Sequence, residues 1–358
     1  MLLTNRATLT QYLIETRRRH PDATGEFNDL ILQVAQACKG IARKVAHGAL
    51  GGSLGSIEGV NVQGEDQKAL DVLANEIFVR TTEWAGAVSG VASEEMEKPR
   101  AVPDDYPRGK YLLVFDPLDG SSNIDTNVAV GSIFSILRSP RPGKDPSVKD
   151  FLQPGVAQVG AGYAIYGPST MLVLTVGQGV VGFTLDPELG DFFLTHPDIR
   201  VPECACEFAI NASNNRFWEA PVKRYVEECL AGKTGPRAKD FNMRWIASAV
   251  AETHRILMRG GVFLYPRDTK DPTKPGRLRL LYECNPIGMI VEQAGGRAST
   301  GETPVLAVQP TSLHQRIGFV FGSAEEVELI ERYHAEGVAA PESDTPLFNQ
   351  RGLFRLPA

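Results

Sequence analysis

The sequence predicts a layered α/β (α+β) sandwich, and three observations carry that prediction. Apolar runs of strand length, such as Tyr111 to Phe115, sit between longer segments whose apolar residues recur near the helical period. The two kinds of segment mix without a strict strand–helix alternation, which a layered α/β or α+β sandwich fits best. The chain's 358 residues, 42% hydrophobic and 22% charged, suffice for two domains sharing an interface or for one large sandwich.

Taken in order, residues 9 to 19 predict a first helix, with Leu9, Tyr12 and Leu13 on one side and Arg17, Arg18 and Arg19 as its solvated end. Thr24-Gly25-Glu26 starts a second helix, whose Leu30, Ile31, Val34, Ala35 and Cys38 share a face. A glycine-rich loop follows it. Gly64 to Gln67 is expected to cap a third helix, with Leu70, Leu73, Ala74, Ile77 and Phe78 inward and Asp71 early in it. A short strand then ends in Ser93-Glu94-Glu95.

Tyr111 to Phe115 predicts a buried strand, and Pro117, with no N–H to donate, is expected to end its ladder. Gly131 to Arg138 gives another strand, and Val156 to Phe193 is strand-rich, with turns at Gly167-Pro168 and Asp186-Pro187. Pro197 and Pro202 bracket a link that divides residues 1–200 from 201–337, leaving 338–358 as a peripheral tail. In the second half, a strand at Phe208 precedes helices over about 216–231 and 244–259 and a strand at 261–266. Asn285-Pro286 is expected to open a further helix that Gly295-Gly296 closes, before a last strand from Ile317 to Phe321.

Charge and cysteine usage narrow the function classes. With 37 Lys+Arg against 43 Asp+Glu the net charge is −6, and no basic stripe marks a nucleic-acid footprint. The five cysteines are scattered and predict reduced thiols in a cytoplasmic protein. No signal-peptide pattern is present, and no run approaches the roughly 18 apolar residues of a membrane span. Gly177 to Gly182 matches GxGxxG but precedes β-prone residues rather than a helix, so it reads as a hairpin turn. Six histidines without helical pairing argue against a histidine zinc site.

The chemistry concentrates in Asp116-Pro117-Leu118-Asp119-Gly120-Ser121-Ser122. Two carboxylates at a strand's carboxyl end stand beside small residues whose backbone N–H groups can cradle an oxyanion. Hard oxygen ligands next to anion donors predict a metal-dependent phosphate site for Mg²⁺ or Mn²⁺.

DPLDGSS resembles the signature of the Mg²⁺-dependent, lithium-sensitive phosphatases. The longer FDPLDGSSNID, with Ser93-Glu94-Glu95, the Tyr163 to Met171 segment and LRLLYECNP, resembles the class I fructose-1,6-bisphosphatases from about Thr24 to Phe321. The resemblance implies an α-β-α-β-α sandwich and hydrolysis of the 1-phosphate of fructose 1,6-bisphosphate. It implies two or three Mg²⁺ per subunit, replaceable by Mn²⁺, on Glu94, Asp116, Asp119, Glu283 and the Leu118 carbonyl. Glu95 and Asp71, with Glu65, would orient or deprotonate the attacking water. Asp119, Gly120, Ser121 and Ser122 would hold the substrate's 1-phosphate end. Asn211, Arg244, Tyr265, Arg277 and Arg279 would take the rest of the substrate, Arg244 reaching into a neighbouring subunit's site in a homotetramer. Thr24, Gly25, Glu26, Lys110, Tyr111 and Arg138 match an AMP pocket and imply inhibition by AMP. Two departures, Arg277 for a lysine and Trp245 for a phosphate-binding tyrosine, raise sedoheptulose 1,7-bisphosphate as the alternative substrate.

Overall fold

A computed structural model describes residues 7–18, 25–51, 56–60, 66–203, 205–271 and 274–337. Thr24, Glu65 and the tail 338–358 lie outside the described residues.

Helices α1 (Leu9–Arg18) and α2 (Glu26–His47) come first. A strand pair β1 (Ser56–Val60) and β2 (Asp66–Lys68) leads into α3 (Ala69–Thr82). Then come β3 (Val88–Ser93), β4 (Arg100–Ala101), β5 (Tyr111–Asp119), β6 (Val130–Arg138), the short α4 (Val148–Phe151), β7 (Gln158–Tyr166), β8 (Thr170–Thr175), β9 (Val181–Asp186) and β10 (Asp191–His196). They form an eight-stranded sheet in the order β10-β9-β8-β7-β6-β5-β3-β4, antiparallel except where β3 runs parallel to β5. Both faces are covered, so its strands read as continuous apolar runs. Alternate residues serve opposite faces: Phe134 and Ile136 pack with α1, α2 and α3, while Ile133 joins a second core.

The second half supplies β11 (Glu207–Ile210), α5 (Ala220–Leu230), β12 (Asn242–Met243), α6 (Ala249–Arg259), β13 (Val262–Tyr265), β14 (Leu278–Arg279), α7 (Asn285–Gln293), β15 (Arg297–Ser299), β16 (Arg316–Ile317), β17 (Phe319–Gly322) and α8 (Ala324–Ala335). Its main sheet has five strands ordered β12-β11-β13-β17-β15. Val250 and Ile256 of α6 and Ile287 and Ile290 of α7 are buried between the two sheets, against Tyr163 on one side and Phe263 on the other. Val226 of α5 and Ile330 of α8 pack on the outer face with Phe208 and Leu264. The layers are α-β-α-β-α. Ile199 and Val201, in the link between the halves, are themselves buried in the middle core.

Several boundaries differ from expectation. Pro117 does not end its strand. Asp116 pairs with Ile133 and Asp119 with Gly131, so Pro117 and Leu118 together oppose Ser132 in a bulge, where a missing N–H costs no ladder bond. The third helix starts at Ala69, later than expected, because Asp66–Lys68 pairs as a strand; the Asp71 carboxylate accepts from the Lys68 N–H at 3.1 Å. The helix expected from 244 starts at Ala249, behind the Ser248 cap. The helix expected to open at Asn285 is preceded by a wide turn over Leu280–Cys284. The helix α8 and the strand β15 were not anticipated.

Candidate active site

The bulge in β5 turns two carboxylates of one strand toward the same cleft. Asp116 Oδ1 accepts from the Leu118 N–H at 2.9 Å, an Asx-type turn that stabilises the bulge from within. Gly120 follows with φ 76°, and a Cβ there would lie 2.8 Å from the Ser248 Cβ. Only glycine permits both that backbone and that approach.

Asp119 is held by the start of α6. Its Oδ2 accepts from the Ser248 hydroxyl at 2.7 Å and the Val250 N–H at 2.8 Å, and its Oδ1 from the Ala249 N–H at 3.2 Å. Ser248 Oγ also caps the helix, accepting from the Ala251 N–H at 3.2 Å. Asn123 donates to the Ile246 and Ala247 carbonyls at 3.2 and 3.1 Å, tying the Gly120–Ser122 turn to the same segment.

Glu94 arrives at the end of β3, and its backbone N–H donates to the Phe115 carbonyl at 3.1 Å. The Arg279 guanidinium lies 2.6 Å from Glu94 Oε1, and the Arg279 N–H donates to Glu283 Oε2 at 2.5 Å. The wide turn Leu280–Cys284 is what carries Glu283 back toward its neighbour four residues earlier.

Lys68, Asp71, Glu94, Glu95, Asp116, Leu118, Asp119, Gly120, Ser121, Ser122, Arg279 and Glu283 line one cleft of about 470 Å³. Carboxylate oxygens of Asp116, Asp119 and Glu283 all lie within 4.8 Å of one another, and all three residues are buried. Burial first, then Glu94 and Asp119, pushes the Asp116 carboxyl well above the usual carboxylate range. Burial likewise raises Asp119, against the opposing pull of the Val250 N–H and the Ser248 hydroxyl. Glu283 is pushed up to about 8 by burial and Glu94, with Arg279 opposing. Asp71 is pushed up to about 7, chiefly by burial and then by Glu95. Buried oxygen donors that repel one another fit a small divalent cation, which would replace the protons this packing otherwise demands.

The remaining predicted positions fall into two other groups. Asn211 caps the turn Ala212–Phe217, accepting from the Ser213 N–H at 3.1 Å, and shares a small hollow with Tyr265 and Asp268. Arg277 Nη2 is 3.8 Å from Asp268 Oδ2, and Arg244 Nε is 3.5 Å from Glu207 Oε1. Trp245 stacks on Phe263 at 5.8 Å and 7°, and on Tyr265 at 5.7 Å and 30°. Its bulk fills an aromatic stack.

Near the start of α2, Lys110 Nζ is 3.1 Å from Glu26 Oε1, and Tyr111 lies directly opposite Arg138 across the β5–β6 ladder. Arg138 sits over the Tyr111 ring at 5.9 Å, and Gly25 takes φ 92° just before the helix. Gly25, Glu26, Lys110, Tyr111 and Arg138 therefore form one group.

Sequence reasoning missed Lys68, Asn123 and Ser248. Ser248 before an apolar helical run is a legible cap signal, hidden here by starting that helix too early. Lys68, with Nζ 2.8 Å from Asp125 Oδ2, carried no local signal.

This combination of layered sheets and buried hard-oxygen donors beside a glycine–serine turn defines a metal-dependent enzyme of phosphate chemistry. Comparison with known proteins narrows the class. Residues 7–197 match the model of the fructose-1-6-bisphosphatase N-terminal domain, and residues 201–335 that of the C-terminal domain. Among curated relatives, the class 1 fructose-1,6-bisphosphatase of Hydrogenophilus thermoluteolus is 71% identical over 349 residues, covering 97% of each chain. One of Methylibium petroleiphilum is 66% identical, covering 98% of each. Among solved structures, the Leishmania major fructose-1,6-bisphosphatase in holo form superposes with TM-score 0.85 at 40% identity, over 92% of this chain and 99% of that one. Its apo form gives 0.81 at 38%, over 92% and 100%. The chain belongs to the class 1 fructose-1,6-bisphosphatase family. Divalent-metal use comes with that family, and among the described residues no helix is long and apolar enough to cross a membrane.

Proposed function

We infer that the chain hydrolyses the 1-phosphate of fructose 1,6-bisphosphate, giving fructose 6-phosphate and inorganic phosphate. The observation that carries the reading is the buried Asp116–Asp119–Glu283 cluster beside the Gly120–Ser122 turn. Its relatives' shared name favours the six-carbon substrate over sedoheptulose 1,7-bisphosphate.

Glu94, Asp116, Asp119, Glu283 and the Leu118 carbonyl hold Mg²⁺, two or three ions per subunit, with Mn²⁺ able to substitute. Such ions, when bound, polarise the phosphoryl oxygens and make a water acidic enough to attack. Backbone N–H groups at Gly120, Ser121 and Ser122 hold phosphate oxygens; the first N–H groups of the turn Ser121–Thr126 have no partner within it. Asp71, whose carboxyl is pushed up to about 7 in the metal-free cleft by burial and then by Glu95, serves with Glu95 as the base. Asn211, Arg244, Tyr265, Arg277 and Arg279 recognise the sugar and its second phosphate.

Residues 1–200 form the regulatory part and 201–337 the sugar-phosphate part of a cytoplasmic homotetramer. AMP binds the group Gly25, Glu26, Lys110, Tyr111 and Arg138, with Thr24, and inhibits. Phosphate release from fructose 1,6-bisphosphate and sedoheptulose 1,7-bisphosphate, compared as kcat/KM with Mg²⁺ present, tests the reading. Preference for the seven-carbon sugar overturns it. Activity unchanged at millimolar AMP removes the regulatory part, and sedimentation reads the assembly.

A further inference from the structure

A chain of buried hydroxyls runs from helix α2 to the bulge that separates two of the carboxylates. The Ser132 hydroxyl donates to the Pro117 carbonyl at 2.7 Å, and its oxygen lies 2.7 Å from the Tyr166 hydroxyl. On the other side of Tyr166 is the thiol of Cys38, midway along α2. Ser132 and Cys38 are 0% exposed and Tyr166 4%. No solvent reaches this row, so each group must find its partner within it.

Proton counting fixes the direction of both oxygen–oxygen bonds. The Pro117 carbonyl can only accept, so it takes the single Ser132 proton. Ser132 Oγ then accepts from Tyr166, whose hydroxyl lies beside the buried Cys38 thiol. Burial holds the thiol at about 12 and the phenol well above its ordinary range, so all these protons stay in place at neutral pH. The bulge explains why the chain exists. Pro117 and Leu118 together oppose Ser132, so the regular ladder is interrupted at the peptide between Asp116 and Asp119. The Ser132 side chain supplies a fixed donor to that peptide segment, and Tyr166 fixes the Ser132 rotor.

We propose that Ser132 and Tyr166 are positioning residues for the cation site: their hydroxyl chain sets the Pro117 carbonyl, and through it the Leu118 carbonyl and the carboxylates of Asp116 and Asp119. The proposal rests on the reading of those groups as cation ligands.

The test is calorimetric titration of Mn²⁺ into the metal-free full-length chain, for wild type, Ser132→Ala, Tyr166→Phe and the double variant. Ser132→Ala weakens Mn²⁺ binding about 10-fold, the scale expected when a partner that orients ligands is lost. Tyr166→Phe weakens it by a smaller factor. Because Tyr166 acts through Ser132, the double variant is no weaker than Ser132→Ala alone. KM for the sugar bisphosphate at saturating Mn²⁺ stays at the wild-type value. A folded Ser132→Ala with wild-type Mn²⁺ affinity overturns the proposal, as does a double variant whose loss is the product of the two single losses. Should Ser132→Ala fail to fold, Tyr166→Phe, which keeps the bond to Pro117, decides alone: unchanged Mn²⁺ affinity overturns the proposal. Wild-type chain that takes up no Mn²⁺ overturns the ligand reading itself, a result distinct from every variant effect.

Discussion

At the cleft, Glu94, Asp116, Asp119 and Glu283 are each at most 8% exposed, and Arg279 pairs with Glu94 among them. At the distal face the side chains of Arg244 and Arg277 are 50% and 31% exposed, and each already faces an acid, Glu207 or Asp268. Repulsion among buried like charges is costly, and it turns into affinity once a cation arrives. Exposed, pre-paired cations cost little and gain little until an anion displaces their partner. A change in the cleft is therefore expected to cost more than a change at the distal face.

The largest expected effect lies in the cleft. Asp119→Ala removes several kcal/mol of transition-state stabilisation, a loss of about 10³-fold or more in kcat/KM. Because Asp119 also caps α6, circular dichroism must show the helix intact before the loss is assigned to chemistry. Activity within about 10-fold of wild type would remove the difference between cleft and distal face.

The second expectation concerns pH without metal. Glu283 has a folded pKa of about 8 against an ordinary 4.5, so the native chain holds an extra proton between those values. Its contribution to stability is therefore intact below about pH 4.5 and is lost as pH rises toward about 8. The melting temperature of metal-free protein should fall across that window, and Mg²⁺ should restore more of it at the alkaline end. A flat metal-free profile would remove the claim of uncompensated charge.

Arg244→Ala comes next. Losing a charge-assisted hydrogen bond of about 2 kcal/mol raises KM tenfold or more and leaves kcat nearly intact. A fall in kcat alone would place Arg244 with the catalytic group instead. Trp245→Tyr should have the smallest effect. It trades the stack on Phe263 for a hydroxyl and shifts the fructose-to-sedoheptulose ratio of kcat/KM only about 2- to 5-fold. A larger switch would make that ring the specificity determinant.

Much of the site was legible because its chemistry is local. Asp116 to Ser122 is one run, while Glu94 and Glu283 are reached only through the resemblance of Ser93-Glu94-Glu95 and LRLLYECNP to the family's segments. The illegible parts depend on contacts distant in sequence. Ser248 matters because it meets Asp119, 129 positions away, and nothing near it announces that bond. The stack of Trp245 on Phe263 and Tyr265 joins positions 18 and 20 residues apart, which no local pattern announces. Pro117 looked like a strand end because its missing N–H is a local fact, whereas the bulge that accommodates it is made by the opposing strand.

What the sequence determined by itself is the layered class, the carboxylate run and its resemblance to one phosphatase family. These follow from apolar period, turn chemistry and residue type, which are short-range properties. Only the tertiary structure decided which acids share one cation-sized space, how Arg279 divides itself between Glu94 and Glu283, and how the Pro117 carbonyl is satisfied from Ser132. Burial and hydrogen-bond direction arise where separate elements meet, and a linear pattern carries neither.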